Sequence, residues 1–342
     1  MPVSSSRVRR FARTAPLVLV PLAAVLLAGC AAGAASTGGE GGDAATDAAA
    51  SGYPLTIDNC GTEVTLQSAP ERIVAIKSST AELLLALGLE DRIVGTAFSD
   101  GPVPDEYAAA ASGIDVLSDK VPSQEVTLAA EPDLVFAGWE SNLTAEGAGD
   151  RATLQQLGVA TYVAPAACKE AGYMPDPLSF DGVFADFEQA GAVFGAPDAA
   201  ADLVADQRAA LDAIEPSDDD LRALWYSSGD DIPYVGAGIG APQMIMDAAG
   251  LTNVAADVHD SWTSMGWEAI VAANPDVIVL VDAPWNTAAS KIAKLEANAA
   301  TAALPAVQQR KYLVVDFPST EAGVRNVGAV ASLVEQLGEL GY

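Results

Sequence analysis

The chain is 342 residues long, half of them hydrophobic, with 17 basic residues against 46 acidic ones and a single histidine. That length holds one large domain or two moderate ones, and a formal charge of −29 makes nucleic acid and anionic lipid head groups poor partners. A lone His259 argues against a His-rich metal site, and a Ser-His hydrolase would have to rest on that one residue.

Arg7, Arg9, Arg10 and Arg13 precede the apolar run APLVLVPLAAVLLAG, which closes on LAGC at 27–30. A basic start followed by an apolar core of about fifteen residues has signal-peptide proportions and is short for a membrane span. Residues 1–29 are expected to be a lipoprotein signal peptide, with Cys30 lipidated at the outer face of the cytoplasmic membrane. Residues 30–52 carry no large apolar side chain and read as a flexible tether. As Gly-rich coil it reaches on the order of 25 Å. Cleavage leaves 13 basic residues against 46 acidic ones, a net charge of −33. In an exported chain the remaining cysteines, Cys60 and Cys168, are expected to pair, the alternative being two buried thiols.

From Tyr53 onward short β-rich runs alternate with helical periodicity. RIVAI (72–76) is a strand, TAELLLALGL (80–89) a helix and RIVGTAF (92–98) a strand. Glu125 opens a helix that Pro132 ends, DLVFAG (133–138) is a strand, RATLQQLG (151–158) a helix and ATYVA (160–164) a strand. Residues 180–214 are helical throughout, with a joint at Gly195 and Pro197. Alternation resumes with strands at 222–228, 276–281 and 311–317 and helical runs at 243–250, 267–274 and 290–297, before a closing helix. Strands alternating with helices predict parallel βαβ units. The expected division is an α/β lobe over 53–179, a helical bridge over 180–214 and a second α/β lobe over 215–342.

Two stretches repeat one another: EVTLAAEPDLVFA (125–137) and EAIVAANPDVIVL (268–280) each place a glutamate seven residues before Pro-Asp and a strand. Pro-Asp supplies a helix stop and turn, as any α/β protein needs. A helix start accepts Asp, Ser or Thr as readily as Glu, so the matching glutamates call for a further reason.

Taken with ERIVAIKSSTAELLLALGLEDRIVG, these stretches resemble the extracytoplasmic substrate-binding proteins of the iron-siderophore and vitamin B12 class of ABC importers, over about residues 55–340. The resemblance implies the class III periplasmic-binding-protein fold: two Rossmann-like α/β lobes bridged by a long rigid α-helix, with a small molecule held in the cleft between them. It implies docking onto basic pockets of an ABC permease dimer through one glutamate per lobe, by position Glu125 and Glu268. It also implies a monomer with a small hinge motion and no catalysis, cofactor or metal.

Ligands of open α/β lobes sit outside the carboxyl ends of the strands. The residues there are Lys77, Ser78, Ser79, Trp139 and Glu140 in the first lobe. In the second they are Tyr226 and Trp285, with Tyr234 and Trp262 in loops and Arg325 beside a strand end. Aromatics at a cleft rim suit a flat ligand, and the cations could hold an anionic one locally. IDNCG, SDKVPSQE, AACKEAGY, LWYSSG, VGAGIGAPQMIMDAAGLTN and EAGVRNV further resemble an actinobacterial subgroup proposed to bind a precursor of the deazaflavin redox coenzyme. The same residues would suit a ferric siderophore, a corrinoid or heme. GAGIGA (236–241) fits a dinucleotide fingerprint, but an exported chain rarely meets NAD. An exported hydrolase would lack G-x-S-x-G here.

Overall fold

The computed structural model describes residues 52–174 and 176–342. The expected signal peptide, Cys30 and the tether up to Ser51 lie outside the described residues. The chain enters through an antiparallel hairpin, β1 (Leu55–Asn59) and β2 (Thr62–Leu66). Its turn holds Cys60 at φ 51° and Gly61 at φ 76°, the pair of positive φ values that a two-residue hairpin turn requires. The first α/β lobe then runs through β3 (Ile73–Ile76), α1 (Ser78–Ala86), β4 (Ile93–Ala97), α2 (Asp105–Ala111) and β5 (Val116–Ser118). It continues through α3 (Gln124–Ala129), β6 (Leu134–Ala137), α4 (Arg151–Gln156) and β7 (Ala160–Val163). The five strands form a parallel sheet in the order β5-β4-β3-β6-β7. Every residue of β3 and β6 is buried, as a parallel sheet covered on both faces demands.

Helices α5 (Phe180–Phe194) and α6 (Pro197–Asp212) follow. Gly195, at φ 68°, closes α5, and a Cβ on Gly191 would come within 2.4 Å of Ala200. The chain therefore reverses sharply at the joint expected from Gly195 and Pro197. Arg208 meets Asp181 at 2.5 Å and lies over the ring of Phe184, so the two helices run antiparallel. The helical segment is thus a hairpin rather than one rod. Phe184, Phe187 and Phe194 of α5 pack with Phe136 and Tyr162 of the first sheet, and α6 carries the chain onward.

The second lobe comprises β8 (Leu221–Ser228), β9 (Tyr234–Gly236), α7 (Ala241–Ala248), β10 (Leu251–Asn253), β11 (Trp262–Ser264) and α8 (Trp267–Ala273). It ends with β12 (Val277–Asp282), α9 (Ala288–Ala297), α10 (Pro305–Gln308), β13 (Tyr312–Asp316) and α11 (Asn326–Glu339). Its sheet order is β11-β9-β8-β12-β13, parallel through β8, β12 and β13, with β10 beside the start of β8. One hydrophobic core serves both lobes: Ile73, Leu134 and Phe136 belong to the same cluster as Trp225, Val279, Leu313 and Val330.

The repeated Pro-Asp has a common use. Asp133 accepts from the backbone N–H of Arg72 at 3.1 Å, and Asp276 accepts from that of Arg222 at 2.9 Å. In each lobe the aspartate pins the start of the neighbouring central strand, β3 or β8.

Candidate ligand-binding cleft

The strands β3, β6 and β7 of one sheet and β8 and β13 of the other end on a shared cavity of about 660 Å³. Its lining includes Ser79, Trp139 and Glu140 from the first lobe and Tyr234, Trp262 and Phe317 from the second. A parallel sheet directs its βα loops to one end, so chain segments far apart in sequence meet there. Tyr234 and Trp262 sit diagonally across the antiparallel pair β9–β11, whose register sets Trp262 opposite Gly236 and Ser264 opposite Tyr234. Their rings stack at 5.9 Å with 14° between planes, giving the cavity a flat aromatic wall.

Five of the ten ligand-contact residues expected from the sequence, Ser79, Trp139, Glu140, Tyr234 and Trp262, line this cavity. The other five stand elsewhere. The Lys77 ammonium is buried behind the cavity wall, 3.6 Å from the Trp139 ring centre and 4.5 Å from that of Phe98, and ion-paired with Asp100. Burial pushes the Lys77 ammonium down and the Asp100 carboxyl up, and their mutual attraction opposes both. Ser78 accepts from the Asp100 backbone N–H at 2.9 Å and stays buried. Tyr226 is enclosed in the core, its hydroxyl donating to the Gly229 carbonyl at 2.7 Å. Trp285 is 63 % exposed and meets Phe317 edge-on outside the cavity lining. Arg325 forks onto Glu82 at 2.5 and 2.7 Å and reaches Asp316 at 2.5 Å.

Further residues complete the wall. Glu321 lines the cavity and accepts from the Trp139 indole N–H at 2.9 Å, joining the two lobes across the cleft floor. Burial pushes its carboxyl up, against the pull of Lys77 and the Trp139 hydrogen bond. Phe317, Thr320, Ser227, Ser228, Asp260 and Ser261 also face the space. Signal for some was present, since Ser227 and Phe317 end predicted strands. Asp260 comes from a loop with no pattern of its own. Behind Ser79 a small chamber of about 20 Å³ holds Asp186, whose carboxyl burial pushes up to about 7.

Cys60 and Cys168 are bonded, with Cα atoms 5.3 Å apart. The bond anchors the chain at the cavity edge, where residues 169 and 176–178 meet the second lobe. There Lys169 lies 3.8 Å from Asp260, Asp176 meets His259 at 2.8 Å, and the Leu178 N–H donates to the Ile239 carbonyl at 2.9 Å.

The GAGIGA glycines serve close chain packing. A Cβ on Gly238 would lie 2.0 Å from the Ala256 carbonyl oxygen, and one on Gly240 would lie 2.9 Å from Ser261. Among the described residues no three His, Cys, Asp or Glu side chains gather to hold a metal ion, and no helix is long and apolar enough to cross a membrane.

Two α/β lobes joined by helices, with an aromatic cavity at the facing strand ends, define a bilobal solute-binding protein. The chain belongs to the periplasmic binding protein family, whose profile matches residues 73–319. It is 28% identical over 325 residues to an uncharacterized ABC transporter substrate-binding lipoprotein of Bacillus subtilis, covering 92% of this chain and 94% of the relative. It is 32% identical over 282 residues to a cobalamin-binding protein of Halobacterium salinarum, covering 78% and 68%. Among solved structures, a periplasmic binding protein from Veillonella parvula superposes with a TM-score of 0.74 at 28% identity, over 83% of this chain and 97% of that one. An ABC-type Fe3+-hydroxamate transport system protein from Saccharomonospora viridis gives 0.71 at 29%, over 84% and 99%.

Proposed function

We propose that the protein is a lipid-anchored, extracytoplasmic receptor that captures a small, flat ligand in the interlobe cleft and hands it to an ABC importer, with no chemistry of its own. The observation that carries this reading is the aromatic cavity built from the strand ends of both lobes. Lipid on Cys30 would hold the protein at the outer face of the cytoplasmic membrane, and the receptor would act as a monomer.

Delivery would use Glu125 and Glu268. Both are exposed, both stand in the first turn of a short helix, and neither has a hydrogen bond or ion pair among the described residues. α3 leads into β6 and α8 into β12, each the strand beside its sheet's β3 or β8, so the two carboxylates occupy matching places. Two free carboxylates suit two basic pockets on a permease of two like subunits.

The ligand candidates are a corrinoid, a ferric hydroxamate or other siderophore, heme, and the deazaflavin coenzyme precursor. Titration of the purified protein with each is expected to show saturable, single-site binding without turnover for the one it carries. Uptake assays are expected to fail for the double variant Glu125→Ala/Glu268→Ala while its ligand affinity is retained. Loss of binding in that variant would refute the docking role, and turnover of any candidate would refute the receptor reading.

A further inference from the structure

The sequence offers cations that could hold an anionic ligand locally, and the charge around the cleft is distributed otherwise. Four charged side chains line the cavity: Glu140, Asp260, Glu321 and Lys169. Lys169 is the one cation among the described lining residues, and it already lies 3.8 Å from Asp260. Two nearby cations that could have served an anion are committed. Lys77 is sealed against Asp100, the two side chains 1% and 2% exposed, and the Arg325 fork is filled by Glu82 and Asp316.

The carboxylates are oriented by single bonds and keep further acceptor capacity. Glu140 accepts from the Lys169 backbone N–H at 2.6 Å through one oxygen, Asp260 accepts from the Ser261 N–H at 2.7 Å, and Glu321 takes the Trp139 N–H. Even with Glu321 left out of the count, Glu140 and Asp260 outnumber Lys169. The remaining polar side chains are neutral, chiefly hydroxyls such as those of Ser79, Ser141, Ser227, Ser261 and Thr320. An anion entering this space would lose water, gain no free cation and face like charge, on a chain whose formal charge is −29.

We propose that the cleft selects a flat ligand with no net negative charge, neutral or cationic, and rejects anions of the same shape. This rests on the reading of the cleft as the solute site. Stacking on Tyr234 and Trp262 supplies shape recognition, the hydroxyls meet amide or hydroxamate edges, and Glu140 and Asp260 set the sign of the charge.

The test uses two series that vary charge on a common corrin or ferric trihydroxamate core. One is cobinamide (cationic), cyanocobalamin (neutral) and a cobalamin monocarboxylic acid (anionic). The other is ferrioxamine B (cationic), ferrioxamine E (neutral) and a succinylated ferrioxamine (anionic). Calorimetric titration of the purified full chain is expected to show, in whichever series binds, the anionic member at least about tenfold weaker than its neutral partner. Glu140→Gln/Asp260→Asn is expected to bring that ratio toward one. An anionic member bound as tightly as the neutral one, or a ratio unmoved by the double variant, would overturn the charge rule and leave the receptor standing. So would tight binding of heme or the deazaflavin precursor with both series silent. Silence from every ligand would count against the receptor reading itself, and the charge rule would fall with it.

Discussion

Lys77 sits at φ 90° and ψ 153°, a backbone region that costs a non-glycine residue roughly 1–3 kcal/mol. The conformation turns its side chain under Trp139, and Gly138 makes room, since a Cβ there would meet the Lys77 Cβ at 2.7 Å. Lys77→Met would leave Asp100 buried and unpaired, with an expected loss of about 3–5 kcal/mol in urea denaturation. Adding Asp100→Leu is expected to restore much of it, and no recovery would mean that the pair is not what the site depends on. Asp186 supplies a second test at this scale. Its folded-state pKa near 7 lies above the ordinary value of 3.8, so its contribution favours folding in acid and is lost as pH rises through 7. Asp186→Asn is therefore expected to stabilise the protein at pH 8, by up to about 4 kcal/mol, and to leave it little changed near pH 4. Equal effects at both pH values would contradict a raised pKa. The sequence placed Lys77 and Arg325 beside strand ends, where the structure has them. It could not show which way they turn, because their partners Asp100 and Glu82 are set by packing between elements.

The β1–β2 hairpin is fastened to the cleft edge by the Cys60–Cys168 disulfide, which spans 108 residues of sequence. On the chain-entropy account, Cys60→Ser/Cys168→Ser is expected to lower unfolding free energy by about 4–5 kcal/mol. A change near zero would contradict that account of the bond. The longer elements were legible because burial leaves a period: β3, β6, β8 and β12 are apolar runs, and α5 to α6 breaks at Gly195 as its sequence suggests. Strands β5, β9, β10 and β11 have three residues each, too few to show alternation, and they were not anticipated. The hairpin was missed for a different reason. Its turn reads Cys-Gly, and the cysteine hides the usual Asn-Gly or Asp-Gly signal. Two of these missed strands, β9 and β11, build the aromatic wall, so the part of the site hardest to anticipate is the part made from the shortest elements.

Several interactions tie the lobes together besides the chain itself. Arg325 of the second lobe, held by Asp316, donates to Glu82 and to the Pro102 carbonyl of the first, Trp139 donates to Glu321, and Gln207 of α6 donates to the Val324 carbonyl at 3.1 Å. With the shared core, these contacts oppose wide opening. X-ray scattering with and without ligand is expected to show a small hinge adjustment, and a large compaction on binding would contradict it. The bilobal plan was legible in the order of strand and helix patterns and in the doubled Glu–Pro-Asp phrase. The core cluster shared by both lobes was not, because hydrophobic periodicity marks a buried face without naming its partner. Ligand is expected to enter the cavity between Trp139 and the Tyr234–Trp262 wall. Tryptophan fluorescence during ligand titration tests it most directly, comparing the protein with Trp139→Phe/Trp262→Phe and with Trp285→Phe. Saturable quenching is expected, largely lost in the double variant and kept in Trp285→Phe, which lies outside the cavity lining. Quenching undiminished in the double variant would place the ligand somewhere other than this cleft.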